Sequence, residues 1–360
     1  MADAAYAEAR ARFPVLGRLA YLNAGTTGPL SVATHRAMAD WERRDLEEGR
    51  AGRWRWEEWA RLADRLRERL AALLDVAPGQ VVLTTSTTEG CNIVVNAFRL
   101  QPGDEVVTTD AEHPGLGEPL RASAATVRTA HVLGVTQEEA VAAVLAEVTP
   151  RTRLVALSHV LWVNGQVLPI AEIRRGSGVP LLVDGAQSAG AIPADAGAAD
   201  FYTVSGQKWL CGPELTGALY IGDPDRLRPA VAGHAASHAE GAQRFGVAHH
   251  PLAGVAGLLA AMEERPEWAF ERAAAMAARC RELLLAAGVD VRTPAGQGGT
   301  LVSFAPAPGP APEAAEAAVL RCQERGVVIR ALPDGWLRAS CGWWTDEEDL
   351  ARLVHAVRPD

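Results

Sequence analysis

The first third of the chain has the hydrophobic pattern of amphipathic helices. Residues 32–48 and 56–74 carry apolar side chains at helical spacing with charged side chains on the opposite face, which predicts two helices. The Pro78-Gly79 turn ends the second one. A short helical start and a loop rich in Gly, Thr and Pro, residues 21–30, come before them.

The pattern changes after the Pro78-Gly79 turn, where short β-branched runs alternate with helical stretches. This alternation predicts a mostly parallel sheet with helices on both faces. The predicted strands are residues 81–84, 105–108, 125–132, 153–157, 181–183, 201–204 and 217–221. Beyond about residue 251 a long helix, residues 268–287, leads into strand and helix segments typical of a smaller α+β domain.

Composition excludes several classes of protein. With 360 residues, 48% of them hydrophobic, the chain can bury the core of one large or two fused domains. A net charge of -9 argues against nucleic acid as a partner. The sequence has neither a secretory leader nor a membrane-spanning apolar run, so we expect a cytoplasmic protein without a membrane partner. Five cysteines without metal-ligand spacing favour reduced thiols and no metal.

Lys208 is the single lysine of the chain, against 34 arginines. A coding bias towards Arg explains why arginine serves wherever a surface cation is needed. An arginine cannot form an imine, whereas a desolvated lysine can lose its proton and act as a nucleophile or base. The retained lysine therefore suggests a position that needs an amine, although a chance surface lysine is the simpler alternative.

Polar residues follow the predicted strands at the edge where parallel sheets bind ligands. Asp184 ends a very apolar strand, where a carboxylate is costly unless it meets a cation. A protonated pyridine nitrogen would suit it, and a helix N-cap is an equally good interpretation of this motif alone. Lys208 follows the next strand in the polar turn 205–209, so that both side chains should reach one crevice.

Thr87 and Thr88 lie in a hydroxyl-rich turn between the strand 81–84 and a predicted helix, residues 91–98. Free N–H groups and small hydroxyls at a helix N-terminus suit a phosphate. Simple helix capping is the more common reason for such residues. This turn should converge on the same crevice as Asp184 and Lys208.

Four motifs together resemble those of a known family. They are TDAEHPG at 109–115, SHVLWVNGQVLPIAEI at 158–173, VDGAQSAG at 183–190 and RASCGWWTDEE at 338–348. The chain resembles the class V aminotransferases, fold-type I enzymes that use pyridoxal 5'-phosphate (PLP), and within them it is similar to the cyanobacterial cystine C–S lyases. The resemblance implies an α/β fold with a large PLP-binding domain, residues 21–257, a smaller α+β domain, residues 1–20 and 258–360, and a homodimer.

The resemblance also implies roles for individual residues around the cofactor. Lys208 would form the Schiff base, Asp184 would pair with the pyridine nitrogen, and His113 would stack on the ring. Gln187 would donate a hydrogen bond to the ring hydroxyl. The phosphate would be bound by Thr87, Thr88 and Ser205, with His249 as a contact reaching a neighbouring subunit.

The substrate side of the predicted site is rich in cations. Arg338 resembles the arginine that binds a substrate carboxylate through a bidentate pair, and Arg330 is a second candidate. Ala24 and Trp162 complete the predicted substrate contacts. Trp162 stands where desulfurases often have Asn, and Gln207 stands where many have His, so the match is incomplete at these positions.

The positions of the cysteines favour one reaction within the family. A cysteine desulfurase needs a thiol nucleophile on a mobile loop, and residues 331–337 contain none. Cys341 is expected to be a buried structural thiol. We therefore predict a C–S lyase that performs β-elimination on cystine or a related cysteine derivative, giving pyruvate, ammonia and a thiol or persulfide. An aminotransferase or epimerase acting on a small amino acid, and a catalytically silent binding protein, are the alternatives.

Overall fold

A computed structural model describes residues 2–231, 233–246 and 250–358. Its helices are α1 (Ala2–Ala11), α2 (Val32–Glu47), α3 (Arg53–Leu74), α4 (Thr87–Ala97), α5 (Pro114–Ala122), α6 (Gln137–Ala146), α7 (Ile170–Ser177), α8 (His234–His238), α9 (Leu252–Glu263), α10 (Ala269–Ala286), α11 (Pro312–Glu324) and α12 (Glu347–Val357). Its strands are β1 (Ala20–Tyr21), β2 (Val81–Thr84), β3 (Glu105–Thr109), β4 (Thr126–Ala130), β5 (Thr152–Ser158), β6 (Leu181–Asp184), β7 (Phe201–Ser205), β8 (Gly217–Ile221), β9 (Leu301–Phe304), β10 (Val327–Val328), β11 (Arg330–Ala331) and β12 (Leu337–Ser340).

The seven strands β2 to β8 form one sheet in the order β2-β8-β7-β6-β5-β3-β4. Strand β8 is antiparallel to β2 and β7, and the other pairs are parallel. The predicted mostly parallel sheet is therefore confirmed, with each strand near its expected place. Strand β4 is shorter than the predicted 125–132. It is an edge strand, so it forms hydrogen bonds with a neighbouring strand, β3, on one side only.

The predicted helices are also present, and local capping explains their true ends. Helix α2 begins after Ser31, whose hydroxyl accepts a hydrogen bond from the Thr34 N–H. Helix α4 begins at Thr87, earlier than predicted, because Ser86 caps it. The loop predicted over 21–30 is irregular except for Tyr21, which belongs to β1 and pairs with β10, and Asn23, which forms an isolated β-bridge.

The C-terminal part has its own sheet, β11-β12-β9, which is antiparallel. Side chains of α10, α11 and α12 pack with this sheet in a core that includes Phe304, Leu337 and Leu353. Ala20 and Leu22 from the start of the chain join the same core. The division into two domains stays a prediction, and its boundary at 257 lies inside α9.

The sheet brings several strand ends to one edge. Strands β2, β3, β5, β6 and β7 run in the same direction, so residues after Thr84, Thr109, Ser158, Asp184 and Ser205 meet there. Across from this edge lies β12, whose Ser340 forms a bridge with Asn23. None of the described helices has the length and apolar character needed to cross a membrane.

Candidate active site

Asp184 ends β6 between Ser158 of β5 and Thr203 of β7, and it is 3% exposed. Its Oδ1 accepts hydrogen bonds from the Ala186 N–H at 2.9 Å and from the Thr203 hydroxyl at 3.3 Å. No described residue donates to Oδ2. Residues 185–190 form turns and a bridge instead of a helix, so Asp184 is no helix N-cap. A buried carboxylate with one unused oxygen is suited to a cation at this edge.

Lys208 follows β7 and is half-buried. Burial lowers the pKa of its amine to about 8, with Arg338 and Arg330 acting in the same direction and Asp184 opposing them. Within the described part of the chain, the amine makes no hydrogen bond or ion pair. A pKa near 8 raises the neutral fraction at pH 7 about 300-fold over an ordinary lysine, which favours its use as a nucleophile or base.

His113 caps the N-terminus of α5, and its Nδ1 accepts a hydrogen bond from the Gly115 N–H at 3.0 Å. Burial is the main reason that its pKa is lowered, and the nearby Lys208 adds to the effect. A neutral ring that accepts at Nδ1 carries its proton on Nε2. The ring packs edge-on against Trp162, with 5.2 Å between the ring centroids.

Thr87 and Thr88 are the first two residues of α4. The N-cap of this helix is Ser86, whose hydroxyl accepts a hydrogen bond from the Glu89 N–H. The two threonines are therefore not the capping residues. A Cβ placed on Gly115 would lie 2.6 Å from the Thr88 hydroxyl, so the first turns of α4 and α5 are adjacent. Two helix N-termini side by side favour an anion. Buried Ser205 ends β7, and His249 lies outside the described residues.

The segment 23–28, called here the N-terminal loop, closes over the turn that carries Lys208. The Gly28 N–H donates to the Gln207 carbonyl at 2.7 Å, and the Gly25 carbonyl accepts from Gln187 Nε2 at 2.9 Å. Gln187 Oε1 accepts from the Trp209 indole at 3.1 Å, which leaves one amide hydrogen of Gln187 for a ligand. Ala24 is fully buried in the same loop, and its contact with a substrate stays a prediction.

Arg338 is fully buried and stands directly opposite Arg330 in the β11–β12 pair. Its Nη1 donates to the Trp162 carbonyl at 2.9 Å, while Nε and Nη2 are buried and have no hydrogen-bond partner among the described residues. Burial and the charge of Arg330 lower the pKa of Arg338 to about 9, so it is charged at neutral pH. Two unused donors on one buried guanidinium favour a bidentate carboxylate.

Arg330 and Trp162 form the other side of the same crevice. Arg330 Nη1 donates to the Thr26 hydroxyl at 3.1 Å, and its guanidinium lies 5.8 Å from the centre of the Trp162 ring. The indole N–H of Trp162 is buried, and no residue in the described part of the chain accepts a hydrogen bond from it. Asn164 bonds to Gln166 within its own turn, so it does not take the place of the missing Asn at 162.

Sequence reasoning missed three residues that shape the site. Thr203 fixes the Asp184 carboxylate, and strand alternation on β7 relative to Ser205 could have indicated it. Gly25 lies against Arg338, where a Cβ would come within 2.8 Å of Nη2. Glu112, next to His113 in the AEHPG motif, bonds to the end of β5.

The unused groups fit PLP. Lys208 offers an amine without a partner to the aldehyde, Asp184 Oδ2 offers an acceptor to a protonated pyridine nitrogen, and the turn at Thr87 offers N–H groups to the phosphate. The described residues contain no group of three or more His, Cys, Asp or Glu side chains that could hold a metal ion.

Comparison with known proteins decides the family. The family model for class V aminotransferases matches residues 21–287. The chain belongs to the class V aminotransferase family. Isopenicillin N epimerase from Streptomyces clavuligerus is 30% identical over 99% of this chain and 98% of its own length. Cysteine desulfurase CsdA from Escherichia coli is 32% identical over 71% of this chain and 70% of its own.

Solved structures of the cystine C–S lyase C-DES are also similar. A lysine mutant of C-DES, with glycine covalently linked to its PLP cofactor, superposes with a TM-score of 0.89 at 31% identity, covering 97% of this chain and 98% of that one. The complex of C-DES with its reaction product cysteine persulfide gives a TM-score of 0.87 at 33% identity, covering 96% and 98%. The fold is that of a fold-type I PLP enzyme, and the protein is a PLP-dependent enzyme.

Proposed function

We propose that this enzyme is a C–S lyase that performs β-elimination on cystine or a related cysteine derivative, giving pyruvate, ammonia and a thiol or persulfide. The similarity to C-DES over nearly the whole chain supports this reaction class. The single observation that carries the choice within the family is the burial of every thiol. All five cysteines, Cys91, Cys211, Cys280, Cys322 and Cys341, are buried.

A desulfurase transfers sulfur to a thiol of its own, and this chain offers none to the crevice. Residues 331–337 form a short hairpin in which the Leu332 N–H bonds to the Trp336 carbonyl, so it is not a long mobile loop. Cys341 is 0% exposed, as predicted, and its pKa is raised by the Cys280 thiol and by burial. A protonated buried thiol is a poor nucleophile. We therefore propose that the sulfur substituent of the substrate is itself the leaving group and is not transferred to a cysteine of the enzyme.

The chain's own residues account for binding and proton movement. Arg338 binds the α-carboxylate through Nε and Nη2, which places the substrate Cα near the Lys208 amine. Lys208 removes the Cα proton, and its lowered pKa leaves part of it neutral for that task. Bound PLP supplies the electron sink that stabilises negative charge at Cα, with Asp184 holding its ring nitrogen protonated. The C–S bond at Cβ then breaks, and the sulfur leaves with the bonding electron pair as a thiolate or persulfide. Water hydrolyses the released unsaturated amine to pyruvate and ammonia.

Arg330 favours a substrate with a second anionic group. It lies at the half-buried side of the crevice and keeps four of its five N–H donors beyond the bond to Thr26. Cystine carries a second carboxylate at its far end. An Arg330→Ala variant should therefore lose activity on cystine more than on an S-alkyl cysteine that lacks that carboxylate.

The test is a substrate panel with matched readouts. Purified enzyme is given cystine, cysteine, S-alkyl cysteines and common amino donors, and pyruvate, alanine, sulfide and persulfide are measured. The proposal predicts pyruvate from cystine, retained when Cys341 or Cys211 is changed to Ser. Alanine and a sulfur-loaded cysteine would instead identify a desulfurase, and pyruvate from none of the sulfur substrates would reject the lyase.

The alternative reaction is epimerisation or transamination of a small amino acid. It is favoured by one observation, the similarity to isopenicillin N epimerase over nearly the full length of both proteins. Chiral analysis of each amino acid after incubation separates it from elimination. Inversion at Cα without loss of sulfur would support the epimerase, and stoichiometric conversion of bound PLP to its amine form would support an aminotransferase.

We also propose that the enzyme is a cytoplasmic homodimer with residues 21–257 as its PLP-binding domain. A pocket of about 540 Å³, lined in part by Trp56, Trp59 and His238, supports association because it offers aromatic side chains to a second subunit. Light scattering measures the assembly state: a dimer is expected, and a monomer with full activity would contradict it.

A further inference from the structure

Glu112 ties two strand ends together at the site. Its Oε1 accepts from the Thr109 hydroxyl at 2.6 Å and from the Ser158 N–H at 3.1 Å, and its Oε2 accepts from the Ser158 hydroxyl at 2.6 Å. Thr109 ends β3 and Ser158 ends β5. Three hydrogen bonds from two strands hold this carboxyl group in place. The side chain therefore also fixes the position of the Glu112 backbone.

The next residue along that backbone is His113. Among the described residues, its ring forms no hydrogen bond to another element, since Nδ1 accepts from the Gly115 N–H within its own cap. Contact with Trp162 orients the ring from one side only. The backbone position at 112 therefore decides where the ring stands relative to Asp184, which pairs with Ser158 across β5 and β6.

We propose that Glu112 is a positioning residue that holds His113 against the PLP ring by anchoring the β3–α5 connection to β5. Nothing in its own contacts gives it a direct place in the reaction: both of its oxygens are occupied by Thr109 and Ser158. The inference rests on PLP binding between Lys208 and His113. It concerns cofactor geometry and is independent of which sulfur substrate is cleaved.

Substitutions separate anchoring from charge. Glu112→Gln keeps the chain length, the acceptor for Thr109 and the Ser158 N–H, and a group that the rotatable Ser158 hydroxyl can meet. Glu112→Asp keeps the charge but is one methylene too short to reach both strands. Glu112→Ala removes the anchor. We expect PLP affinity to fall about tenfold in the Ala and Asp variants and less than about twofold in Gln.

The readouts are the dissociation constant for PLP and the visible circular dichroism of the bound cofactor, which reports its fixed orientation. Glu105 is the matched control, because it is a buried glutamate at the start of β3, the strand that precedes Glu112, and it bonds to Thr149 and Arg151 at the opposite edge of the sheet. Glu105→Ala should lower the unfolding temperature and leave both cofactor readouts unchanged. Ser158→Ala, which removes one donor only, is the milder variant should Glu112→Ala not fold.

A double variant shows whether Glu112 acts through His113. His113→Ala alone should weaken PLP binding, and adding Glu112→Ala should cause no further loss, because the anchored ring is already gone. Additive losses would overturn the proposal. So would a Gln variant that behaves like Ala while Asp behaves like the parent, since charge and not anchoring would then matter.

Discussion

The two edges of the main sheet use charge in opposite ways. At the edge where β3 begins, Glu105 bonds to Thr149 and pairs with Arg151, and Asp200 accepts hydrogen bonds from Arg174. At the other edge, Asp184 and Lys208, together with Arg338 on the facing strand β12, each keep a donor or acceptor that no described residue uses. Charges that satisfy one another stabilise the fold, whereas unsatisfied buried charges cost stability and are retained for a ligand.

The largest difference between the edges should appear at Lys208. Lys208→Arg keeps the cation but cannot form an imine, so we expect a loss of activity of about 10³-fold or more and no covalently held cofactor. Borohydride reduction followed by mass spectrometry measures attachment at this residue. Arg151→Lys at the opposite edge is the control and should leave activity unchanged. Cofactor reduced onto any other group would contradict the assignment.

Arg338 should show the next largest effect. Arg338→Ala removes both unused donors of the buried guanidinium, and we expect KM for cystine to rise about 100-fold with a smaller change in kcat. Arg338→Lys should recover only part of it, because an ammonium cannot pair bidentately. An unchanged KM in the Ala variant would show that the substrate carboxylate binds elsewhere.

Gly25 tests the same contact by shape without changing a charge. In Gly25→Ala the new Cβ would lie 2.8 Å from Arg338 Nη2 and 2.9 Å from the Ser340 hydroxyl, so the guanidinium must move. We expect KM to rise about tenfold. Gly17→Ala is the matched control, because a Cβ there meets nothing within 4 Å. Equal kinetics for the two variants would mean that Arg338 needs no fixed position.

The last prediction concerns Glu112, which should make the free energy of unfolding depend on pH. Burial raises its pKa to about 7, despite the opposing hydrogen bonds from Ser158 and Thr109. A raised folded-state pKa means that the stabilising contribution is present below the unfolded value near 4.5 and is lost as pH rises through about 7. The parent should therefore lose about 2 to 3 kcal/mol relative to Glu112→Gln between pH 5 and 8.

Urea unfolding of the apo forms at several pH values measures this difference. Glu105→Gln provides the comparison from the opposite edge, because hydrogen bonds from Thr149 and ion pairing with Arg151 lower the pKa of Glu105. Its contribution is present above the unfolded pKa and is lost at more acidic pH. Parallel curves for the parent and Glu112→Gln would show that Glu112 titrates normally.

Local pattern was enough to predict the sheet, the helices and the residues at the strand ends. Alternation and β-branched runs report which residues face a core, and those runs matched β2 to β8. Lys208 and Asp184 were found because an amine and a buried carboxylate are chemically unusual at their positions. The predicted start of α4 at residue 91 is too late, because α4 begins at Thr87. Ser86, Thr87 and Thr88 all have side chains that can cap a helix, so their residue types do not show which of them does so.

The amino-acid order thus established the architecture and the family, and it singled out the amine that we predict holds the cofactor, because periodicity and residue chemistry are local properties. It did not reveal that Gly25 lies against Arg338, that Gln187 is bound by Gly25 and Trp209, or that Glu112 joins β3 to β5. Those contacts join residues far apart in the chain, or strands whose order and register are set by packing. Only folding brings their atoms within hydrogen-bond distance, so no local pattern records them.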